Sequence, residues 1–372
     1  MKAILLACFL QVGLALAGVT LAADISNPLK LLAVGDRNGN IIDIIDLDKG
    51  RVVHRFETAF RPDDLIISPY APFLMYTNVE HKVAVFYDLR TQREIKRIDL
   101  PVIPRHVVMD TTGGLVAISN SIEGGFVLLS LYGQSILFSL PEFPATADVL
   151  FDPNEVDIYY SNTATGSIGL LDTNVREWIE MPLTEEPGQQ LFSPSRSLDA
   201  RYIYVANGST GEVYSLNAFS KVIHKTFRIG ASPARPYTTP QGAFLYLIDQ
   251  ETGRFVSVEQ GSFREYADTK FDKGVNLVTV GRFDRFNLFL STEHNEYYIY
   301  DNLKSAIVAT GRFKGTPVAA LGAADGRTTY IAFADIPLVA MMNIEEQAIR
   351  YLAATDNGAG AMAIGLSNNV CH

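Results

Sequence analysis

Residues 189–233 read QQLFSPSRSLDARYIYVANGSTGEVYSLNAFSKVIHKTFRIGASP, and they set out one structural unit in full. Leu191-Phe192-Ser193 is a short strand ahead of a turn at 194–200. Residues 202–206 form a second strand, and Asn207-Gly208-Ser209-Thr210-Gly211 a turn. Residues 213–216 form a third strand and 222–228 a fourth, with Gly230 and Pro233 closing the unit. The strands are β-branched and aromatic, bounded by Gly, Pro, Asn and Asp, and nothing in them has helical period.

The same unit recurs outward in both directions. Apolar runs end in an amide or an acid at Asp36, Asn78, Asn120, Asn162, Asn207, Asp249, Glu293 and Asp335, in steps of 42, 42, 42, 45, 42, 44 and 42 residues. Four short strands per 40–45 residues, repeated along the chain, predict an all-β single β-propeller of four-stranded blades. Eight second strands predict eight blades. Seven is the alternative, if the irregular unit at 319–360 packs differently. Residues 31–35 correspond to a second strand with no first strand before it, and "AMAIGLS" (361–367) is a first strand with no unit after it. The two fragments are expected to complete one closing blade, shared by the N- and C-terminal strands.

The segment "DARYIYVANGSTGEVYSLNAFSKVIHKTFRIGASP" resembles a YVTN-type propeller repeat. Units two to four keep the terminal Asn, and units six to eight drift to Asp or Glu. The resemblance implies a periplasmic or surface propeller, of the broad group that includes haem d1 domains and amine-dehydrogenase heavy chains. Such folds host many chemistries.

Composition bounds the rest. Met1-Lys2, an apolar run from Ala3 to Leu21 and small residues at Ala22-Ala23 read as a signal peptide over residues 1–23. An arm at 24–30 and a propeller domain at 31–372 follow, and the mature chain is expected to be periplasmic or secreted. No later run is apolar and long enough to span a bilayer. Losing the leader removes Cys8 and leaves Cys371 as the one cysteine, so stability must come from the core and not from an internal disulfide. A net charge of −10 without a basic run argues against nucleic acid as a partner.

Candidate functional residues follow from the repeat. The position just before each innermost strand holds Asp64, His106, Asp148, Gln190, Arg235, Asn276, Val318 and Gly360, which should ring one mouth of the central channel. Arg61 and Arg105 lie beside it, and the turns on that face add Glu80, His81, Lys82, Glu123, His294 and Glu296. The Asn/Asp series itself reads as turn chemistry. Asp64, His106 and Asp148 are a two-carboxylate, one-histidine set of the kind that suits divalent ions. Cys371-His372, beyond the closing strand, is a second candidate metal pair, with a plain chain end as the alternative.

No G-x-S-x-G, H-E-x-x-H or C-x-x-C-H motif is present, and Trp178 is the single tryptophan. The first functional reading is therefore a non-catalytic scaffold that binds a protein partner or a small ligand at the polar mouth. Two alternatives stand beside it. One, which the family resemblance implies, is a redox-associated propeller holding a haem d1-like tetrapyrrole, with His106 or His81 as axial ligand. The other is a metal-dependent hydrolase or lactonase using Asp64, Asp148 and Asn276.

Overall fold

The structure, a computed structural model, describes residues 24–365 apart from 155, 184–187, 273 and 282–283. The expected leader and the Cys371-His372 pair lie outside the described residues.

Eight four-stranded antiparallel sheets account for nearly all of the regular structure. Blade 1 joins Ala359–Ile364 as its innermost strand to Leu31–Asp36, Ile41–Asp46 and Arg51–Glu57. Blades 2 to 8 follow in chain order, each running from the innermost strand to the outermost. Their innermost strands are Asp64–Ile67, His106–Met109, Thr146–Phe151, Ser195–Arg196, Tyr237–Thr238, Val275–Val280 and Pro317–Gly322. Blade 5 departs from the expected boundaries. Ser195-Arg196, read from the sequence as part of a turn, pairs with Tyr204 and Ile203, and Leu191 touches the ladder only through a bridge to Asn207.

Burial explains the hydrophobic pattern. Second strands such as Leu31–Asp36 (LLAVGD) and Tyr202–Asn207 (YIYVAN) are buried along nearly their whole length, because neighbouring blades cover both of their faces. They read as continuous apolar runs for that reason and do not alternate. Outermost strands such as Arg93–Asp99 (REIKRID) face water and are polar. The core consists of eight apolar clusters, most of which fill the gap between two adjacent blades.

In blades 1 to 7 a side-chain oxygen at the end of the second strand caps the turn that follows. The side-chain oxygen of Asn162 accepts from the amides of Ala164 and Thr165, and that of Asn207 from Ser209 and Thr210. The residue before the third strand then takes a left-handed conformation, as in Gly211 (φ +73) and Gly253 (φ +74).

Pairing corrects the series for the last two full units. Ser291 pairs with Glu296 and bonds the His294 amide through its hydroxyl, and so fills the place expected for Glu293. Phe333 ends its strand and pairs with Pro317, the place expected for Asp335. Ser and Phe do not look like turn-capping amides, and the nearest acids two residues on were taken instead. With Ser291 and Phe333 in register, every step is 42 except the 45 into blade 5.

Closure follows the expected strand sharing: Leu32 pairs with Ile364 and Val34 with Met362. Asp36 and Asp43, both fully buried, reinforce it. Asp36 accepts from the backbone amides of Asp356 (2.8 Å) and Asn357 (3.0 Å), in the loop that leads into the closing strand. Asp43 accepts from Thr355 (2.8 Å) and is held in a two-point ion pair by Arg55, which also reaches Asp356. The expected arm is not loose: Pro28–Lys30 is a 3-10 turn capped by Asn27, and Ile25 is buried in the core between blades 1 and 2.

Candidate functional site at the channel mouth

The mouth is set by where each innermost strand begins to pair. Asp64 pairs with Thr77 and His106 with Ser119, each opposite the residue just before the turn asparagine, Asn78 or Asn120. Asp148 falls at the same place in the bulge between Thr146 and Val149. In blade 5 that place belongs to Ser193, because the insertion behind the 45-residue step lies before it. Gln190 sits three residues too early, exposed, with its carbonyl accepting from Gly208 in the neighbouring turn. Arg235 occupies the position in blade 6, next to Ala234, whose amide bonds Ile248.

In the last three blades the expected residues are one position early. Asn276, Val318 and Gly360 are bulge residues, all exposed, and the residues in register are Leu277 (opposite Leu290), Ala319 (opposite Ala332) and Ala361 (opposite Gly35). A slip of one residue in a strand carries a side chain to the other face, so these three leave the ring. The corrected ring is Asp64, His106, Asp148, Ser193, Arg235, Leu277, Ala319 and Ala361. Blades 2 to 6 contribute a continuous polar arc, and blades 7, 8 and 1 an apolar one.

Within the polar arc, three residues are electrostatically linked. Arg235 donates to the carbonyl of Pro194 (3.1 Å) and lies 3.9 Å from the Asp148 carboxylate, so it spans blades 4 to 6. Asp64 and Asp148 share one pose, each accepting from the following backbone amide, Leu65 and Val149, at 2.8 Å. Asp148 has Arg235 as a cationic neighbour, whereas Asp64 makes no ion pair among the described residues. Burial pushes the Asp64 carboxyl up to about 7, partly offset by the Leu65 amide and reinforced by the charges of Asp148 and Asp63. Adjacent Asp63 is the contrasting case. It is ion-paired with Arg61 (2.6 Å) and accepts from Asn78 and the Val79 amide.

The remaining candidates are dispersed. His81 stacks on Phe60 (4.2 Å) and its Nδ1 contacts the Asn78 side chain at 2.9 Å. His294, in blade 7, faces Glu293 at 3.9 Å. Arg105 is exposed, with its backbone amide on Ser119. Among the described residues no three His, Cys, Asp or Glu side chains come together as a metal-binding group. The set Asp64, His106 and Asp148 is therefore not a three-ligand centre: the residues sit on three successive blades, and Asp148 is turned to Arg235. Asn276 instead bonds Thr292 (2.8 Å) and lines an open polar cleft of about 330 Å³ with Ser232, Gln250, Glu251, Gly274 and Glu293.

No protein-family model and no curated protein sequence matches the chain. Solved structures do. The dihydro-heme d1 dehydrogenase NirN, in complex with DHE, is similar with a TM-score of 0.76 at 14% identity, over 91% of this chain and 76% of that one. BamB from Moraxella catarrhalis is similar with a TM-score of 0.61 at 14% identity, over 78% and 88%. Hydrazine synthase from Kuenenia stuttgartiensis gives 0.56 at 12% identity, over 79% and 95%. At these identities the likeness is one of fold: the chain is a β-propeller. The YVTN-type resemblance rests on the residues of unit five alone. No helix among the described residues is long and apolar enough to cross a membrane.

Proposed function

We propose that this protein is a periplasmic or secreted propeller that binds a small polar ligand, or a short segment of a partner protein, at the Asp64–Arg235 arc of its channel mouth. The observation that carries the reading is the one-sided ring. Charged and polar groups occupy five consecutive blades, and Asp64 is held there without a cationic partner. A solvated rim has no need to collect its charges on one arc. A ligand that donates hydrogen bonds to Asp64 and Asp148 and accepts from Arg235 would satisfy all three. The binding is proposed as non-catalytic.

The likeness to NirN keeps a tetrapyrrole in view, with His106 as the axial candidate. The residues present fit that group poorly. The ring around His106 is charged, His81 is already engaged with Phe60 and Asn78, and the cleft beside Asn276 is polar. An absorption spectrum of protein purified from its native host decides this reading. A Soret band lost in His106→Ala would establish it against the scaffold.

The scaffold reading is tested by thermal-shift titration with a panel of small amines, guanidines and zwitterions. Binding that is lost in Asp64→Asn and Arg235→Ala and kept in His224→Ala, on the outermost strand Ile223–Arg228 of blade 5, is the expected result. Ligands whose binding ignores the first two substitutions would overturn the assignment of the mouth.

A further inference from the structure

The repeat exposes a second unusual place, far from the mouth, in the seam between blades 6 and 7. Four residues before the end of each second strand, blades 1 to 6 carry Leu32, Leu74, Val116, Ile158, Ile203 and Leu245, all fully buried. Blade 7 carries Asn287 there, equally buried. Just after each third strand, blades 1, 2, 3 and 8 carry Leu47, Leu89, Leu131 and Ile344, whereas blade 7 carries Asn302. These two positions adjoin one another: Leu74 and Leu89 share one apolar cluster, and Val116 and Leu131 share another. In blade 7 both have become asparagine.

Protein partners do not satisfy the pair. Asn302 Nδ2 donates to the Tyr246 hydroxyl of blade 6 (2.6 Å) and to the Asp284 carbonyl, which leaves Asn302 Oδ1 unbonded. Among the described residues neither Oδ1 nor Nδ2 of Asn287 has a partner and neither has Asp284 Oδ2, whereas Asp284 Oδ1 accepts from the Gln241 amide. Asp284 and Asn302 are each 4% exposed. Blade 6 shows the satisfied form of the arrangement, where Gln260 bonds the Tyr204 hydroxyl and the Phe244 carbonyl.

We propose that this seam is a built internal hydration site, in which ordered water bridges Asn287, Asn302 and Asp284. The chemistry selects water over a cation. The unbonded atoms include an amide donor as well as three oxygens, so the guest must both donate and accept. Unpaired buried polar atoms are costly, and internal water with two to four polar partners is the usual remedy.

A crystal structure at a resolution that shows bound water tests this directly. The expected result is water density within hydrogen-bond distance of Asn287, Asn302 Oδ1 and Asp284 Oδ2. A dry seam, or density with the short oxygen contacts and anomalous signal of a metal ion, overturns it. Asn287→Leu gives an independent sign. Leucine is the residue that Leu32, Leu74 and Leu245 supply at the equivalent position, so the shape is tolerated. In a hydrated seam the substitution breaks the bridge and lowers the melting temperature by a few degrees. In a dry seam it removes two unpaired groups, and an unchanged or raised melting temperature contradicts the proposal. Should the variant fail to fold, the water density of the wild-type protein decides.

Discussion

Asp36 and Asp64 stand on neighbouring blades, both next to the channel-mouth turns, and their surroundings treat the same carboxylate in opposite ways. Asp36 is fully buried but accepts from the amides of Asn38, Gly39, Asp356 and Asn357 and from the Asn357 side chain. Burial raises its pKa, the donors outweigh that, and the net result lies below the usual carboxylate range. Asp64 is pushed up to about 7 by burial, with one amide donor against it and the charges of Asp148 and Asp63 adding to it. The difference separates structure from function. The closing blade uses carboxylates as fully satisfied clamps, while the mouth keeps one under-satisfied, and the proposed binding at the mouth rests on that contrast.

The comparison breaks most visibly at closure. Deleting residues 359–372 removes the innermost strand of blade 1 and exposes the edge of Leu31–Asp36. Burial of Met362 and Ile364 alone is worth roughly 3–6 kcal/mol. The melting temperature should fall by ~10 °C or more, or cooperative unfolding should vanish. A truncated protein that melts within a few degrees of the full chain would rule out this closure.

Next in size is the clamp. Asp43→Ala leaves Arg55 and the Thr355 amide without their buried acceptor. Arg55 is half-exposed and keeps Asp356, so the loss is set mainly by the orphaned Thr355 amide and should be about 1–3 kcal/mol, readable by chemical denaturation. For Asp36 the sign follows from its depressed value. Its contribution is present above the ordinary carboxylate range and is lost as pH falls through the folded value, so acid unfolding should begin below about pH 4 and start higher in Asp36→Asn.

The mouth should behave in the opposite sense. With its value raised from 3.8 to about 7, folded Asp64 holds a proton that the unfolded chain releases, so its effect on stability worsens as pH rises across that interval. Asp64→Asn should therefore stabilise the protein at pH 8, by about 1–2 kcal/mol once solvent access to this half-buried group is allowed for. It should do little at pH 4. Destabilisation at pH 8 would count against the electrostatic account. Arg235→Ala is the smallest perturbation. Its ion pair with Asp148 is long and half-exposed, worth up to about 1 kcal/mol, so folding should be nearly unchanged while mouth binding is lost.

Much of this was legible in the repeat. The 42-residue step, the Asn-capped turns and the split closing blade are local patterns, carried by residues such as Asn78, Asn120 and Asn162. The mouth was half legible. Asp64, His106, Asp148 and Arg235 stand at equivalent pairing positions of their blades, Asp148 in spite of the bulge between Thr146 and Val149. Gln190 was displaced by the insertion before Ser193, and Asn276, Val318 and Gly360 by a step of 41 residues from Arg235, where the full 42 falls on Leu277, Ala319 and Ala361. The 45-residue step was the available signal for Ser193, and the strict 42-residue step the signal for the other three. The closure clamp depends on partners drawn from opposite ends of the chain, which spacing along the sequence does not reveal.

The central claim is that Asp64 is under-satisfied because the mouth is built to bind. A titration of the aspartate carboxyl carbons by nuclear magnetic resonance, with Asp64→Asn providing the assignment, reads this directly. The account predicts a midpoint near 7 for Asp64 in the wild-type protein, set chiefly by burial, and a lower one, still above the ordinary carboxylate value, in Asp148→Asn, which removes a neighbouring charge. A midpoint near 4, unmoved by that substitution, would contradict it.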